Sequence, residues 1–350
     1  MNSEGRLGTL YGFGAYLLWG IFPLYFRVLD RSGAIEIVLH RVFWSLITCL
    51  VIVVALRQVA DVKAVLRSRR RTAAFTAAAM LIAVNWGVYI YAVNSGQVVE
   101  ASLGYFINPL VTVALGVVVL KERLRPLQWV AVAIGVVAVL VLTVAHGRLP
   151  WIALTLACSF GTYGLVKNRV GGRVGALAGL TTETLVLAPV TVAGLAWYEI
   201  SGEGTFTADP PWQGLLLASA GLVTVVPLLL FAAAARRVPL TTMGLLQYLT
   251  PTLQFLCGVA LLGERMPLPR WIGFGLVWIA LVVLTVDGLR AASRTRRATP
   301  EAAVEEQVAG AAASITNSTG SGARLDQMDE IVEIGAANGQ NVHLIKDRSI

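Results

Sequence analysis

The sequence predicts an all-α integral membrane protein: ten transmembrane helices arranged as two inverted five-helix repeats, followed by a disordered C-terminal tail. Three observations predict this. Of the 350 residues, 56% are hydrophobic and 14% charged, with a mean hydropathy of +0.71, whereas a soluble domain carries roughly 25% charged residues. The apolar residues arrive in ten blocks of spanning length. Residues 92–144 also align without a gap to residues 234–286.

The blocks fall near 8–27, 35–56, 73–93, 100–120, 127–145, 149–166, 174–197, 212–233, 241–262 and 270–287. About twenty apolar residues cross a hydrocarbon layer of about 30 Å. Lipid offers no partner to an open backbone, and the blocks lack the alternation of a transmembrane barrel, so they are expected to be helices. The first has neither a basic lead nor a small-residue cleavage pattern and reads as a retained helix. With the N-terminus inside, nineteen Lys and Arg residues fall in cytoplasmic segments and five outside. The positive-inside bias therefore places both termini in the cytoplasm and the chain in the inner or plasma membrane. After Asp287 the composition shifts to Ala, Gly, Ser, Thr and charge, as in Ser318-Thr319-Gly320-Ser321-Gly322, and 288–350 reads as a disordered tail.

The internal match gives the domain organisation. Fourteen of 53 positions are identical at an offset of 142, among them Pro109 with Pro251, Gly116 with Gly258, Glu122-Arg123 with Glu264-Arg265 and Trp129 with Trp271. Shared Leu and Val follow from composition; coincident Pro, Gly, Glu, Arg and Trp do not. The offset carries spans four and five onto nine and ten, so the unit holds five helices: 7–145 and 149–287. An odd number of crossings inverts one copy relative to the other, the architecture in which a binding site forms near the midplane between two rocking halves.

Polar residues inside the spans supply the candidate site, because ionisable groups in hydrocarbon cost roughly 2.5–3.5 kcal/mol and face a protein interior or a cavity. Span two carries His40, Arg41, Trp44, Ser45 and Thr48; Arg41, Ser45 and Thr48 share a helix face. Arg41 reads either as a snorkelling residue or as a cationic wall for an anionic or zwitterionic substrate. Asn85, Trp86 and Tyr89 cluster in span three. Span four presents Ser102, Tyr105, Asn108 and Thr112, and the repeat offset gives Gly244, Gln247, Thr250 and Gln254 in span nine. Glu183, amid Thr181, Thr182 and Thr184 in span seven, reads as a partner of Arg41 or a proton-coupling site. Glu100 opens span four as a second proton-coupling candidate or as a helix-start residue favoured by the dipole.

Other classes are disfavoured. The net charge of +8 sits in short clusters between apolar blocks, unlike a nucleic-acid face. Cys49, Cys158 and Cys257 lie in apolar stretches and read as buried hydrophobes, with no metal site or cofactor expected. There is no P-loop, HExxH or GxSxG, so an ATPase or membrane enzyme is not expected. The expected partners are a small-molecule substrate and the lipid bilayer, with a homodimer left open. A lipid or lipid-linked sugar flippase is the alternative to a metabolite or drug transporter.

Several strings resemble one known group: AYLLWGIFPLYF (15–26), HRVFWS (40–45), NWGVYIYAVN (85–94), EASLGYFINPL (100–110), KER (121–123), TVVPLL (224–229) and QYLTPTLQF (247–255). They are similar to the RarD group in the EamA branch of the drug/metabolite transporter superfamily, over about residues 7–288. The resemblance implies a ten-helix inner-membrane transporter. It also implies His40, Arg41, Asn85, Trp86, Glu100, Tyr105, Asn108, Gln247 and Tyr248 as pocket candidates, because they lie in the matching strings. One departure is Lys121, where the second copy has Gly263.

Overall fold

The computed structural model describes residues 3–121, 123–171, 174–207 and 211–317. These residues form helices α1 (Ser3–Gly20), α2 (Phe22–Val28), α3 (Ala34–Ala55), α4 (Val59–Leu66), α5 (Arg69–Asn94), α6 (Val98–Leu120) and α7 (Pro126–His146). Then follow α8 (Trp151–Gly171), α9 (Ala176–Ser201), α10 (Trp212–Ala235), α11 (Leu240–Leu246), α12 (Leu249–Leu256) and α13 (Leu268–Asn317), with a π-helical turn at Cys257–Leu261. Among the described residues there is no strand.

Nine segments among the described residues are long and apolar enough to cross a membrane, one fewer than the ten apolar blocks. The difference is the sixth block. It folds as the 21-residue α8, but Thr155, Ser159, Thr162, Tyr163 and Lys167 lower its hydropathy. The first block breaks at Ile21, just before Pro23, into α1 and α2. The short α4 was not expected from the sequence; its pattern VADVKAVL buries Val62 and Val65 and exposes the charges between them. Helix α13 continues to Asn317, so residues 288–317 of the expected disordered tail are helical, in keeping with their Ala-, Arg- and Glu-rich composition. Residues 318–350 lie outside the described residues. The chain divides into two compact units, 1–285 and 286–350, and the candidate site belongs to the first.

Large apolar side chains cover the outside of the bundle, among them Val118, Val144, Ile200 and Leu215, each more than 70% exposed. Such a surface suits a lipid environment and not water. Inside, close helix contacts rest on small residues, as expected where apolar burial gives no advantage over lipid. A Cβ on Gly104 would lie 2.7 Å from the carbonyl oxygen of Ala153, and one on Gly221 would collide with the backbone of Trp44. The second contact matters for the site. It draws α10 against α3 so closely that, one antiparallel turn away, Thr224 reaches Arg41.

Candidate functional site

Arg41 is 4% exposed, on the inward face of α3 with His40 and Ser45. Its Nε donates to Thr224 Oγ1 at 2.9 Å. The guanidinium carbon stands 4.0 Å from the centre of the Trp86 ring, 5.3 Å from Phe26 and 5.5 Å from Phe22. Among the described residues no carboxylate comes within ion-pair distance, and no acceptor meets its two terminal nitrogens. A buried charge left without a counter-ion is costly; the three ring faces offset part of that, at about 2 kcal/mol for a desolvated contact. Arg41 therefore does not snorkel, and its surroundings are aromatic.

Asn85 is 1% exposed and spends its amide on structure. Its Nδ2 donates to the Leu156 carbonyl at 3.1 Å and Ser159 Oγ at 3.0 Å, and its Oδ1 accepts the Tyr105 hydroxyl at 3.0 Å. This network ties α5 to α6 and α8. One turn along α5, Tyr89 is 2% exposed and packs its ring on Phe26 and Tyr105, yet its buried hydroxyl has no partner.

His40 and Trp44 form the other wall. The His40 ring stacks on Phe206 at 4.8 Å and 19°, and Trp44 lies 6.1 Å from the same ring. Phe206 comes from the connection between α9 and α10. That connection is fastened by Glu36 Oε1, which accepts the Thr205 N–H at 2.6 Å and its hydroxyl at 3.0 Å. Ser32 adds a bond to Thr205 at 2.5 Å and accepts from Gln213 Nε2 at 2.8 Å. His40 Nδ1 and Trp44 Nε1 are buried without partners.

The expected pairing of Glu183 with Arg41 is not what the structure contains. Glu183 Oε1 lies 2.7 Å from Lys167 Nζ and Oε2 accepts the Tyr163 hydroxyl at 3.3 Å. Lys167 is also held over the rings of Phe75 and Tyr163. Lys167 falls just after the sixth apolar block, 149–166, and so counts among the nineteen cations assigned to cytoplasmic segments; α8 continues past it to Gly171, and its ammonium meets Glu183. Arg41 and Glu183 are nonetheless related in position: each lies seven residues after the alanine that begins its helix, Ala34 of α3 and Ala176 of α9.

The remaining candidates are scattered. Glu100 sits in the first turn of α6 and accepts the Ile152 N–H at 3.2 Å. Asn108 is half-buried with a buried Oδ1 lacking a partner. Gln247 and Tyr248 occupy the break between α11 and α12, with the Tyr248 hydroxyl 3.5 Å from Thr285. The polar stripe of span nine is a packing face: Thr250 donates to the Tyr16 carbonyl at 2.9 Å and Gln254 to the Trp19 carbonyl at 3.1 Å. Cys158 is exposed, contrary to expectation. No cluster of metal-ligating side chains occurs among the described residues. Sequence reasoning missed Phe22, Phe26, Thr224, Phe206 and Lys167. Within apolar runs the first three carry no signal of their own.

The EamA-like transporter family matches the chain twice, over residues 6–144 and 149–286. Protein RarD of Streptomyces exfoliatus is 52% identical over 295 residues, covering 84% of this chain and 93% of that protein. An uncharacterized transporter of Pseudomonas aeruginosa is 42% identical, covering 83% and 96%. Protein RarD of Escherichia coli is 40% identical, covering 84% and 99%. A solved structure titled only as the crystal structure of a protein superposes with a TM-score of 0.52 at 18% identity, covering 81% of this chain and 98% of the other; it speaks to the fold alone.

Proposed function

The chain belongs to the EamA-like transporter family, and from that premise we propose that it is a secondary transporter moving a small polar or amphipathic solute by alternating access. Its relatives are named as transporters, and the chain is a multi-pass membrane protein with two copies of the family unit. In this reading α8 is the tenth span and the halves are inverted. Both termini are cytoplasmic, as the excess of Lys and Arg in the corresponding connections supports.

One observation carries the proposal. Arg41 of the first copy is buried, lacks a carboxylate partner among the described residues, and donates its hydrogen bond to Thr224 of the second copy. A charge kept in a membrane interior against such a cost marks a solute path, and its place between the copies is where a rocking pair would expose it alternately. Lys167 and Glu183 supply a second device: protonation of Glu183 would release Lys167, so the pair is the proposed point of proton coupling.

Two measurements test this. Purified protein in liposomes loaded with a mixed metabolite extract should release a subset of solutes, read by mass spectrometry, and Arg41→Gln should stop that release. Release indistinguishable from protein-free liposomes refutes transport. Single cysteines at Lys121 and Gly263 should label from opposite sides; labelling from one side refutes the inversion.

A further inference from the structure

We infer that the solute group bound at Arg41 is a carboxylate, carried by an organic monoanion with an apolar body. The inference rests on the transporter reading and specifies its substrate class. The guanidinium is fixed at Nε by Thr224, so its terminal nitrogens form the free edge. That edge presents two parallel N–H groups, the geometry that a two-oxygen carboxylate fills.

The charge balance selects a single negative charge. Arg41 has no counter-ion among the described residues, whereas the other cation turned inward, Lys167, is already neutralised by Glu183 at 2.7 Å. A phosphate monoester would bring a second charge and a third oxygen for which no cation remains. Of the buried carboxylates in this part of the bundle, Glu183 is taken by Lys167, and Glu36 gives Oε1 to Thr205 while its Oε2 has no partner.

Tyr89 completes the recognition. It packs on the same Phe26 ring as Arg41, and its hydroxyl is buried without a partner. A buried hydroxyl in that state is destabilising, and an incoming acceptor removes the cost. Phe22, Phe26 and Trp86, buried and packed around the guanidinium, make the surroundings of the bound group apolar.

The test uses the full chain purified in detergent, with benzoate, its neutral isostere benzamide, and phenyl phosphate as probes. Benzoate should raise the unfolding temperature in proportion to the logarithm of its concentration, and the other two should not. Arg41→Gln should weaken benzoate binding about 10- to 100-fold, Arg41→Lys less, and Tyr89→Phe about 5-fold. Equal protection by benzamide or phenyl phosphate overturns the inference, as does no protection by benzoate and longer monocarboxylates. Because the probe comparison is made on the unaltered protein, it stands even if Arg41→Gln fails to fold. The two readings fail separately. Benzoate binding without solute release in the liposome assay removes transport and keeps the anion site. Release of neutral solutes that survives Arg41→Gln removes the anion site and keeps transport.

Discussion

Arg41 donates its Nε hydrogen to Thr224 Oγ1 at 2.9 Å, so the hydrogen bond that positions a buried guanidinium crosses from the first family unit to the second. Bonds to a charged partner contribute about 1.5–3 kcal/mol. Thr224→Val keeps the volume and removes the acceptor, and should lower stability by about that amount in thermal unfolding of the purified protein. Thr224→Ser should restore most of it. Equal loss in both variants would mean the methyl group, and not the oxygen, is what Thr224 contributes.

Lys167 and Glu183 should behave as a coupled pair. Glu183→Gln and Lys167→Met each leave a buried or half-buried partner unmatched, at about 2 kcal/mol apiece given that Lys167 keeps 28% exposure. The double variant should cost less than the sum of the singles. Additive losses in denaturant titration would remove the coupling. Under the proposed coupling, Glu183→Gln should also flatten the dependence of transport on pH.

Lys121 caps α6 with φ of 57°, and its repeat counterpart Gly263 adopts φ of 68°. The left-handed region costs a residue bearing a Cβ about 1–2 kcal/mol. Lys121→Gly should therefore stabilise the protein, by an amount reduced to about 0.5–1 kcal/mol by the glycine's greater freedom when unfolded. Gly263→Ala should destabilise it by about 1 kcal/mol. Opposite signs in paired melting curves are the check.

Glu264 closes the start of α6 from a distance in sequence: Oε1 accepts the Val98 N–H at 2.5 Å and Oε2 the Val99 N–H at 2.9 Å. Glu264→Ala strands both donors and should cost about 1–2 kcal/mol. Burial lifts the Glu264 carboxyl above its ordinary value of 4.5, against the opposing pull of the Val99 and Val98 N–H groups and Arg270. A raised folded value means the native state holds the proton more tightly than the unfolded chain. This contribution to stability is thus greatest in acid and declines as pH rises above 4.5 through the folded value. Because glutamine does not titrate, the wild type should lose stability relative to Glu264→Gln as pH rises across that interval, and melting curves that stay parallel would remove the shift.

Much of the architecture was readable in advance because hydrocarbon imposes simple demands. Runs of twenty apolar residues became helices, and the repeated Pro, Gly, Glu and Trp marked a doubled unit. Arg41 and Asn85 were conspicuous for the same reason, as polar groups where polarity is expensive. What escaped was partnership. Thr224 is one hydroxyl in an apolar run, and nothing local indicates that Gly221 brings it to Arg41. Phe206 lies in a connection, where an aromatic residue carries no period. Lys167 ends its run, so hydropathy assigned it to water, whereas the helix carries it inward to Glu183. The stripe of Thr250 and Gln254 had the right spacing for a cavity lining, but its hydrogen bonds go to the α1 backbone.

The matched stations of Arg41 in α3 and Glu183 in α9 have an energetic consequence. Were two inverted copies identical, swinging one way or the other would produce mirror arrangements of equal free energy, and neither would be preferred. Under the proposed inverted arrangement, an unpaired cation at one station and a carboxylate matched by Lys167 at the other would break that degeneracy and give the empty protein a preferred orientation.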